Sequence, residues 1–332
     1  MKNRIAIIGS NSFSGAAFAA HCLKLGLEVL GLSRSAEPAA CFLPYRWLSA
    51  AEVSRFRYAQ SDLNHDLAKL MSELDSFQPA LVVNFAAQGM VAQSWQTPED
   101  WYQTNVLGNV KFHDQLRRRT YLEKYVHVGT PEVYGNTTGT ITESAPFNPS
   151  TPYAASRAAC DLHLRTFVQH YQFPVVWTRA ANVYGAGQQL YRIIPRTILM
   201  IKLGQKLNLH GGGVSVRSFI HIDDVADATL RAANVGKAGD CFHLSTDRFI
   251  SIRALVEMIC VRLKVNFDEV VDVAPERPGK DAAYLLDSTR ARTELGWKDQ
   301  ITLEAGIEST IDWMNREFEE IRRQPFDYIH KP

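Results

Sequence analysis

The sequence predicts an α/β protein in which a doubly wound parallel sheet carries a smaller C-terminal α/β lid. The chain opens with a βαβ pattern, because the apolar run "RIAIIG" precedes a helical stretch and a second strand, "EVLGLSRS". Further buried strands are predicted at "ALVVNFAA", "KYVHVGT" and "FPVVWTRAANVYG". After Gly185 shorter strands and helices follow without a flexible linker. We therefore expect a sheet domain over 1–185 and a lid over 186–332, with some lid segments returning to the sheet and a cleft between the two parts.

Composition excludes several classes of protein. The chain has 332 residues with 36 Lys and Arg against 35 Asp and Glu, a balance that predicts no nucleic-acid partner. Its five cysteines form no CxxC pair, which favours a reducing cytoplasmic setting and no metal site. The N-terminal apolar run is too short to span a membrane, so no membrane partner is expected.

The turn between the first strand and the first helix predicts a dinucleotide site. The stretch "GSNSFSG", from Gly9 to Gly15, places backbone N–H groups and a helix dipole where a pyrophosphate can bind. The match is imperfect, because Ser12 stands where a GxxGxxG pattern has its middle glycine, and a ligand-free turn is the alternative.

The second strand ends in Ser33 and Arg34, at the place where NAD sites usually carry an acid. A hydroxyl and a guanidinium can bind a 2′-phosphate, so NADP(H) is favoured and NAD(H) is possible. The residues expected to contact the dinucleotide from these segments are Gly9, Asn11, Ser12, Phe13, Ser14, Gly15, Ser33, Arg34, Asp62, Leu63, Ala86, Ala87 and Gln88.

Seven segments in order give the chain a family resemblance. They are "GSNSFSG", "NFAAQ", "GTPEVYG", "PYAASRAACD", "RAANVYG", "RSFIHIDDVADA" and "RPGKDAAYLLDSTRARTELGW". This set resembles the extended short-chain dehydrogenase/reductases that act on nucleotide sugars, and most closely the dTDP-glucose and GDP-mannose 4,6-dehydratases. The resemblance implies a Rossmann domain with a catalytic tyrosine, a nucleotide-diphosphate sugar as substrate, and a homodimer paired through the tyrosine-bearing helix.

The resemblance also implies the catalytic roles. Tyr153 matches the tyrosine of YxxxK, which takes a proton from the C4 hydroxyl of the sugar, and Arg157 replaces the lysine. Both side chains are expected to contact the cofactor as well. Thr130 matches the residue that bonds the phenol and the substrate oxygen. Glu132 matches the carboxylate that removes the C5 proton as water leaves C6.

Two residues depart from the family pattern. Arg157 keeps the positive charge of the lysine but spreads it over a wider plane. Pro131 stands where the dTDP-glucose type has an aspartate that protonates the departing hydroxyl. Protonated Glu132 or a water must then supply that proton, and Pro131 is expected to hold Thr130 in an extended conformation.

The resemblance places substrate contacts on both parts of the chain: Gln88, Thr130, Glu132, Asn182, Arg192, Arg217 and Arg277. A 4,6-dehydratase is the function that these residues favour. A 4-epimerase or a uronic-acid decarboxylase on the same scaffold is an alternative, although a simple epimerase needs no base at C5. A second alternative is a catalytically impaired protein that binds NADP(H) or a sugar nucleotide.

Overall fold

The computed structural model describes residues 3–137, 139–275 and 285–331. The strands, numbered along the chain, are β1 (Arg4–Ile8), β2 (Glu28–Ser33), β3 (Phe56–Gln60), β4 (Leu81–Asn84), β5 (Lys124–Val128), β6 (Thr140–Ile141), β7 (Val175–Ala180), β8 (Asn182–Tyr184), β9 (Leu207–His210), β10 (Val216–Arg217), β11 (Phe219–His221), β12 (Cys241–Leu244), β13 (Ile250–Ser251), β14 (Val271–Ala274) and β15 (Leu285–Leu286). The α-helices are α1 (Phe13–Lys24), α2 (Ala50–Val53), α3 (Leu67–Phe77), α4 (Pro98–Tyr102), α5 (Asn109–Leu116), α6 (Pro152–Tyr171), α7 (Ile193–Lys202), α8 (Ile222–Val235), α9 (Ile252–Leu263), α10 (Phe267–Val270), α11 (Thr289–Glu294), α12 (Leu303–Arg316) and α13 (Phe318–Ile321).

The main sheet confirms the predicted fold class. Seven parallel strands lie in the order β3-β2-β1-β4-β5-β7-β12. One face packs against α1 and α8, and the other packs against α3, α5 and α6. The strands are parallel, so their carboxyl ends meet along one edge of the sheet, where ligands bind in such folds.

The second part of the chain has its own core. Helices α7, α9 and α12 bury Ile198, Leu255 and Ile307 against one another, and short strand pairs β9–β14 and β10–β13 lie beside them. The long connection after β2 reaches this core, since the Trp313 indole N–H donates to the Cys41 carbonyl at 2.8 Å. Loops of the sheet domain therefore pack directly on the lid.

One predicted segment differs in detail from the structure. The stretch predicted as one strand over 173–185 is divided, because β7 joins the main sheet while β8 pairs with β11. After α12 and α13 the described chain ends in a tail without helix or strand. No helix in the described ranges has both the length and the apolar character that a membrane crossing requires.

Candidate active site

The turn between β1 and α1 is shaped to let a ligand approach its backbone. Gly9 has a φ of +84°, and a Cβ there would lie 2.7 Å from the Ala86 nitrogen. A Cβ at Gly15 would lie 2.2 Å from the Gly9 carbonyl oxygen. Side chains at these two positions would clash with the backbone that forms the cradle, so the glycines are required by the turn itself.

Ser12 has a definite role in place of the expected middle glycine. It is the N-cap of α1: its hydroxyl accepts from the Gly15 N–H at 3.1 Å and donates to the Gly9 carbonyl at 2.7 Å. The first turn of α1 carries no acidic residue, so nothing there repels an anion. This cradle fits the pyrophosphate of a dinucleotide.

The end of β2 is tied to the same turn. The Asn11 N–H donates to the Ser33 hydroxyl at 3.0 Å, and its side-chain amide donates to the carbonyls of Ser35 and Ala36. Arg34 lies beyond this buried serine and lines the cleft. The predicted hydroxyl and guanidinium therefore lie beside the glycine turn.

Thr130, Tyr153 and Arg157 come together from β5 and α6. Thr130 follows β5, and Tyr153 and Arg157 lie one turn apart near the start of α6, where they are only 7% and 6% exposed. A guanidinium nitrogen of Arg157 donates to the Val128 carbonyl at the end of β5. The arginine fork is therefore anchored on the sheet from one side, which fixes where its charge lies.

The groups around Tyr153 shift the pKa of its phenol in opposite directions. Burial raises its pKa above the ordinary value, and the neighbouring Glu132 carboxylate raises it as well. The charge of Arg157, the hydrogen bond with Thr130 and the charge of Arg192 lower it. A phenol this deeply buried depends on its cations to act as a base near neutral pH.

Glu132 lies in a short 3₁₀ turn, Pro131–Tyr134, that follows β5. Its N–H donates to the Thr130 hydroxyl at 3.3 Å, and its carboxylate is close enough to Tyr153 to influence the phenol. Thr130 has φ −143° and ψ 143°, which confirms the extended conformation expected before Pro131. The turn thus presents a hydroxyl and a carboxylate on the same wall of the cleft.

The lid contributes a basic wall. Arg192 at the N-cap of α7 and Arg217 in β10 line the cleft from the lid, and Arg196 and Lys206 lie among the same lining residues. Asn182 in β8, at the end of the sheet-domain segment, lines the cleft beside them. Four cations around one surface suit a diphosphate. Arg277, the remaining predicted substrate contact, lies outside the described residues.

One cleft of about 1150 Å³ brings most of the predicted residues together. Its lining includes the predicted residues Ser12, Phe13, Ser14, Arg34, Ala87, Gln88, Thr130, Glu132, Tyr153, Arg157, Asn182, Arg192 and Arg217. Gly9, Asn11, Gly15, Ser33 and Ala86 lie outside this lining and form the backbone cradle described above.

Asp62 and Leu63 do not line this cleft. Leu63 is buried in the core beneath α3, and the Asp62 carboxylate accepts from the Asn64 N–H at 2.7 Å within its own turn. Both follow the edge strand β3, and their contact with the dinucleotide stays a prediction.

Several further residues position the site. The Ser94 hydroxyl accepts from the Tyr153 N–H at 3.2 Å and so holds the start of α6. The Asn105 amide exchanges hydrogen bonds of 2.8 and 3.0 Å with the backbone of Gln88. Tyr328, Ile329 and Lys331 of the C-terminal tail also line the cleft. Isolated residues in short turns and in the C-terminal tail give no periodic signal from which a role in the site could be predicted.

Comparison with known proteins agrees with this geometry. Residues 7–310 match the model of the family described as GDP-mannose 4,6 dehydratase. The chain is 31% identical over 318 residues to a dTDP-glucose 4,6-dehydratase of Mycolicibacterium smegmatis, covering 93% of this chain and 92% of that protein. It is similar in structure to a dTDP-glucose 4,6-dehydratase of Streptomyces venezuelae crystallised with NAD, with a TM-score of 0.87, 28% identity, and coverage of 96% and 98%. The chain therefore belongs to the GDP-mannose 4,6-dehydratase family of extended short-chain dehydrogenase/reductases.

Proposed function

We propose that the protein is a nucleotide-sugar 4,6-dehydratase that converts a nucleotide-diphosphate hexose into its 4-keto-6-deoxy derivative. The observation that carries this proposal is the placement of Glu132 beside Tyr153 and Thr130 on one wall of the cleft. A phenol base alone suffices for oxidation at C4, whereas a second base is needed to remove a proton from C5. Residues 1–185 are proposed to hold the cofactor and the catalytic side chains, and 186–332 mainly the sugar nucleotide.

In this proposal Tyr153 takes the proton of the C4 hydroxyl while Thr130 bonds the same oxygen. A nicotinamide held beside Tyr153 would supply reversible hydride chemistry at C4 and C6 of the sugar. Oxidation at C4 makes the C5 proton acidic, because it lies α to a carbonyl, and Glu132 removes it. The C6 hydroxyl leaves as water with a proton from Glu132 or from a neighbouring water, since Pro131 has no proton to give. A proton from protonated Glu132 or from water then adds to C5, and Tyr153 releases the C4 hydroxyl proton to solvent, which restores both bases.

Product mass tests this function. Purified protein is incubated with GDP-, dTDP-, UDP- and CDP-hexoses, with and without added NADP⁺. We expect one sugar nucleotide to lose one water. An unchanged mass would favour the 4-epimerase, and loss of carbon dioxide from a uronic acid would favour the decarboxylase. Dinucleotide binding with no product from any sugar would favour the impaired binding protein.

We propose NADP(H) as the cofactor, with NAD(H) as the alternative favoured by the NAD in the Streptomyces venezuelae enzyme. The support is the Ser33 hydroxyl and the Arg34 guanidinium at the end of β2, with Arg34 on the cleft wall. Arg34→Ala is expected to weaken NADP(H) binding about 10- to 100-fold, because a charge-assisted bond to the 2′-phosphate is lost. NAD(H) binding should be weakened less, because NAD(H) carries no 2′-phosphate. Calorimetric titration with both dinucleotides measures this, and equal losses for the two would contradict the assignment.

Arg157 is proposed to stabilise the Tyr153 phenolate less than a lysine would. The guanidinium spreads its charge and is anchored on the Val128 carbonyl, so the field at the phenol is weaker than that of a compact ammonium. Burial already raises the phenol pKa, and the base must be deprotonated to act. The pH optimum of the wild type should therefore be higher than the pH optimum of the Arg157→Lys variant. A pH–rate profile of both proteins checks the order, and a lower or equal optimum in the wild type would contradict it.

We also propose that the protein forms a homodimer through α5 and α6. Leu107, just before α5, and Leu162 of α6 are 51% and 50% exposed, which is unusual for leucines on adjacent helices and suits a packed interface. Leu162→Glu is expected to halve the mass measured by light scattering. An unchanged mass would contradict this interface.

A cytoplasmic location is proposed on the state of the cysteines. Cys22, Cys41, Cys160 and Cys260 are buried free thiols, and Cys241 is a free thiol that is partly buried. Free thiols are typical of proteins kept in a reducing compartment. Fractionation of the cells that make the protein tests this location. Finding the protein in the fraction of an oxidising compartment would contradict it.

A further inference from the structure

The C-terminal segment 326–331, here called the strap, runs from the lid to the sheet domain across the cleft. It begins at α7, where the Arg196 guanidinium donates to the Phe326 carbonyl and forms an ion pair with Asp327, each at 2.8 Å. The Tyr328 ring then packs edge-on against Tyr191, with ring centroids 5.5 Å apart. The near end of the strap is thus attached to the lid.

The far end of the strap is attached to the sheet domain. The His330 imidazole and the Asp100 carboxylate of α4 are 2.7 Å apart, and the imidazole stacks on Trp101 with a centroid distance of 5.0 Å and an angle of 7°. Trp101 is fully buried, so this stack rests on a rigid surface. The strap therefore joins the two parts of the protein.

The last described residue, Lys331, meets two predicted cofactor residues. Its carbonyl accepts from the Arg34 guanidinium at 2.9 Å and from the Gln88 amide at 2.6 Å. Arg34 follows β2 and Gln88 follows β4, so one carbonyl joins the loops after the two strands on either side of β1, at the carboxyl edge of the sheet. These loops are where the adenosine half of a dinucleotide is proposed to bind.

The strap is a wall of the cleft and does not fill it. Tyr328, Ile329 and Lys331 line the same cleft as Ser12 and Ser14 of the glycine turn, and about 1150 Å³ remains between these walls. That volume is slightly above the roughly 300–1000 Å³ that is usual for a pocket that binds one small ligand. The strap therefore leaves the cleft open beside the glycine turn.

We propose that the strap is a binding element of this site that retains the dinucleotide by closing over its adenosine half. The inference rests on the proposed dinucleotide, and it adds Tyr328 and Lys331 to the residues that hold it, with His330 as a positioning residue that attaches the strap to α4. Release then requires the His330 and Lys331 contacts to break first. Retention suits the proposed reaction, because the cofactor is restored in every turnover and need not leave. Closure also excludes water, which strengthens the electrostatic contacts inside the cleft.

Dissociation of reduced dinucleotide tests the strap without any sugar nucleotide. A chain that ends at Asp327 keeps the ion pair with Arg196 but lacks the contacts of Tyr328, His330 and Lys331. Release of NADPH and of NADH is followed by stopped-flow fluorescence with excess oxidised dinucleotide as competitor. We expect release to be about tenfold or more faster than from the full chain, and His330→Ala to give a smaller change in the same direction. His170→Ala, at an exposed histidine near the end of α6, is the matched control and should release both at the wild-type rate.

The outcomes separate the strap from the proposed function. Equal or slower release from the chain ending at Asp327 would overturn the strap as a retaining element, and tighter binding would show that it competes with the dinucleotide. A full chain that binds neither NADPH nor NADH would overturn both the strap and the proposed function. A cooperative thermal unfolding transition of the shortened chain would show that it is folded. Faster release could then not be attributed to unfolding.

Discussion

Replacing Glu132 with glutamine is expected to slow the loss of water from the sugar nucleotide by about 10²- to 10⁴-fold, the usual contribution of a positioned base. Glutamine keeps the size of the side chain but cannot accept the C5 proton. The N–H of residue 132 still donates to the Thr130 hydroxyl, so the turn after β5 should keep its shape. Product formation is measured by mass, and exchange of the C5 hydrogen is measured in deuterated water by NMR.

Glu132 lies in the cleft away from the glycine turn, so Glu132→Gln should lower the rate of water loss and leave dinucleotide binding unchanged. Affinity for NADP(H), measured by calorimetry, is expected to stay within about threefold of the wild type, because the glycine turn is untouched. Glu269→Gln, at an exposed carboxylate of the lid, serves as the matched control. If Glu132→Gln dehydrates substrate at the normal rate, another group is the base at C5.

Replacing Tyr153 with phenylalanine is expected to lower the rate by a similar factor, about 10²- to 10⁴-fold, and at an earlier step. Without the phenol oxygen nothing in this position takes the C4 proton. The ring is almost fully buried and phenylalanine fills the same space, so packing around α6 should be retained. Both C5 exchange and water loss should fall together, because neither precedes oxidation at C4.

A tyrosine on the same helix provides the comparison for this variant. Tyr171 ends α6 and is 45% exposed, far from the cleft lining. Tyr171→Phe should keep the wild-type rate. Tyr153→Phe activity within a few-fold of the wild type would show that Tyr153 is not the base.

The residues that could be predicted from the sequence are those in local motifs at strand ends. Gly9, Ser33, Thr130 and Tyr153 each follow or flank a buried parallel strand or begin the helix beside it. Carboxyl ends of parallel strands meet at one edge, so local order along the chain fixes proximity in space. The role of Ser12 as the N-cap of α1 could also be predicted, because serine is a preferred N-cap residue.

Other parts of the fold depend on pairings between distant segments. β12 is four residues long, and it joins the main sheet by pairing with β7. β3 is a partly exposed strand at the other edge of the sheet. Neither has the period or the length that identifies a strand locally. The positions of Asp62 and Leu63 likewise depend on how β3 ends.

The strap shows most clearly why part of the site could not be predicted. Its contacts with Arg34 and Gln88 are made by the backbone carbonyl of Lys331, across separations of 297 and 243 residues. Every residue carries such a carbonyl, so no residue type marks the one that is used. Only the folded chain brings the C-terminal segment over the cleft.

Transfer of an isotope within one substrate molecule tests the proposed function most directly. The sugar nucleotide that loses water is prepared with deuterium at C4 and incubated with the enzyme in ordinary water. The proposed roles of Tyr153, Glu132 and the bound dinucleotide predict a 4-keto product that carries the deuterium at C6. Deuterium that stays at C4, or that is lost to the solvent, would contradict them.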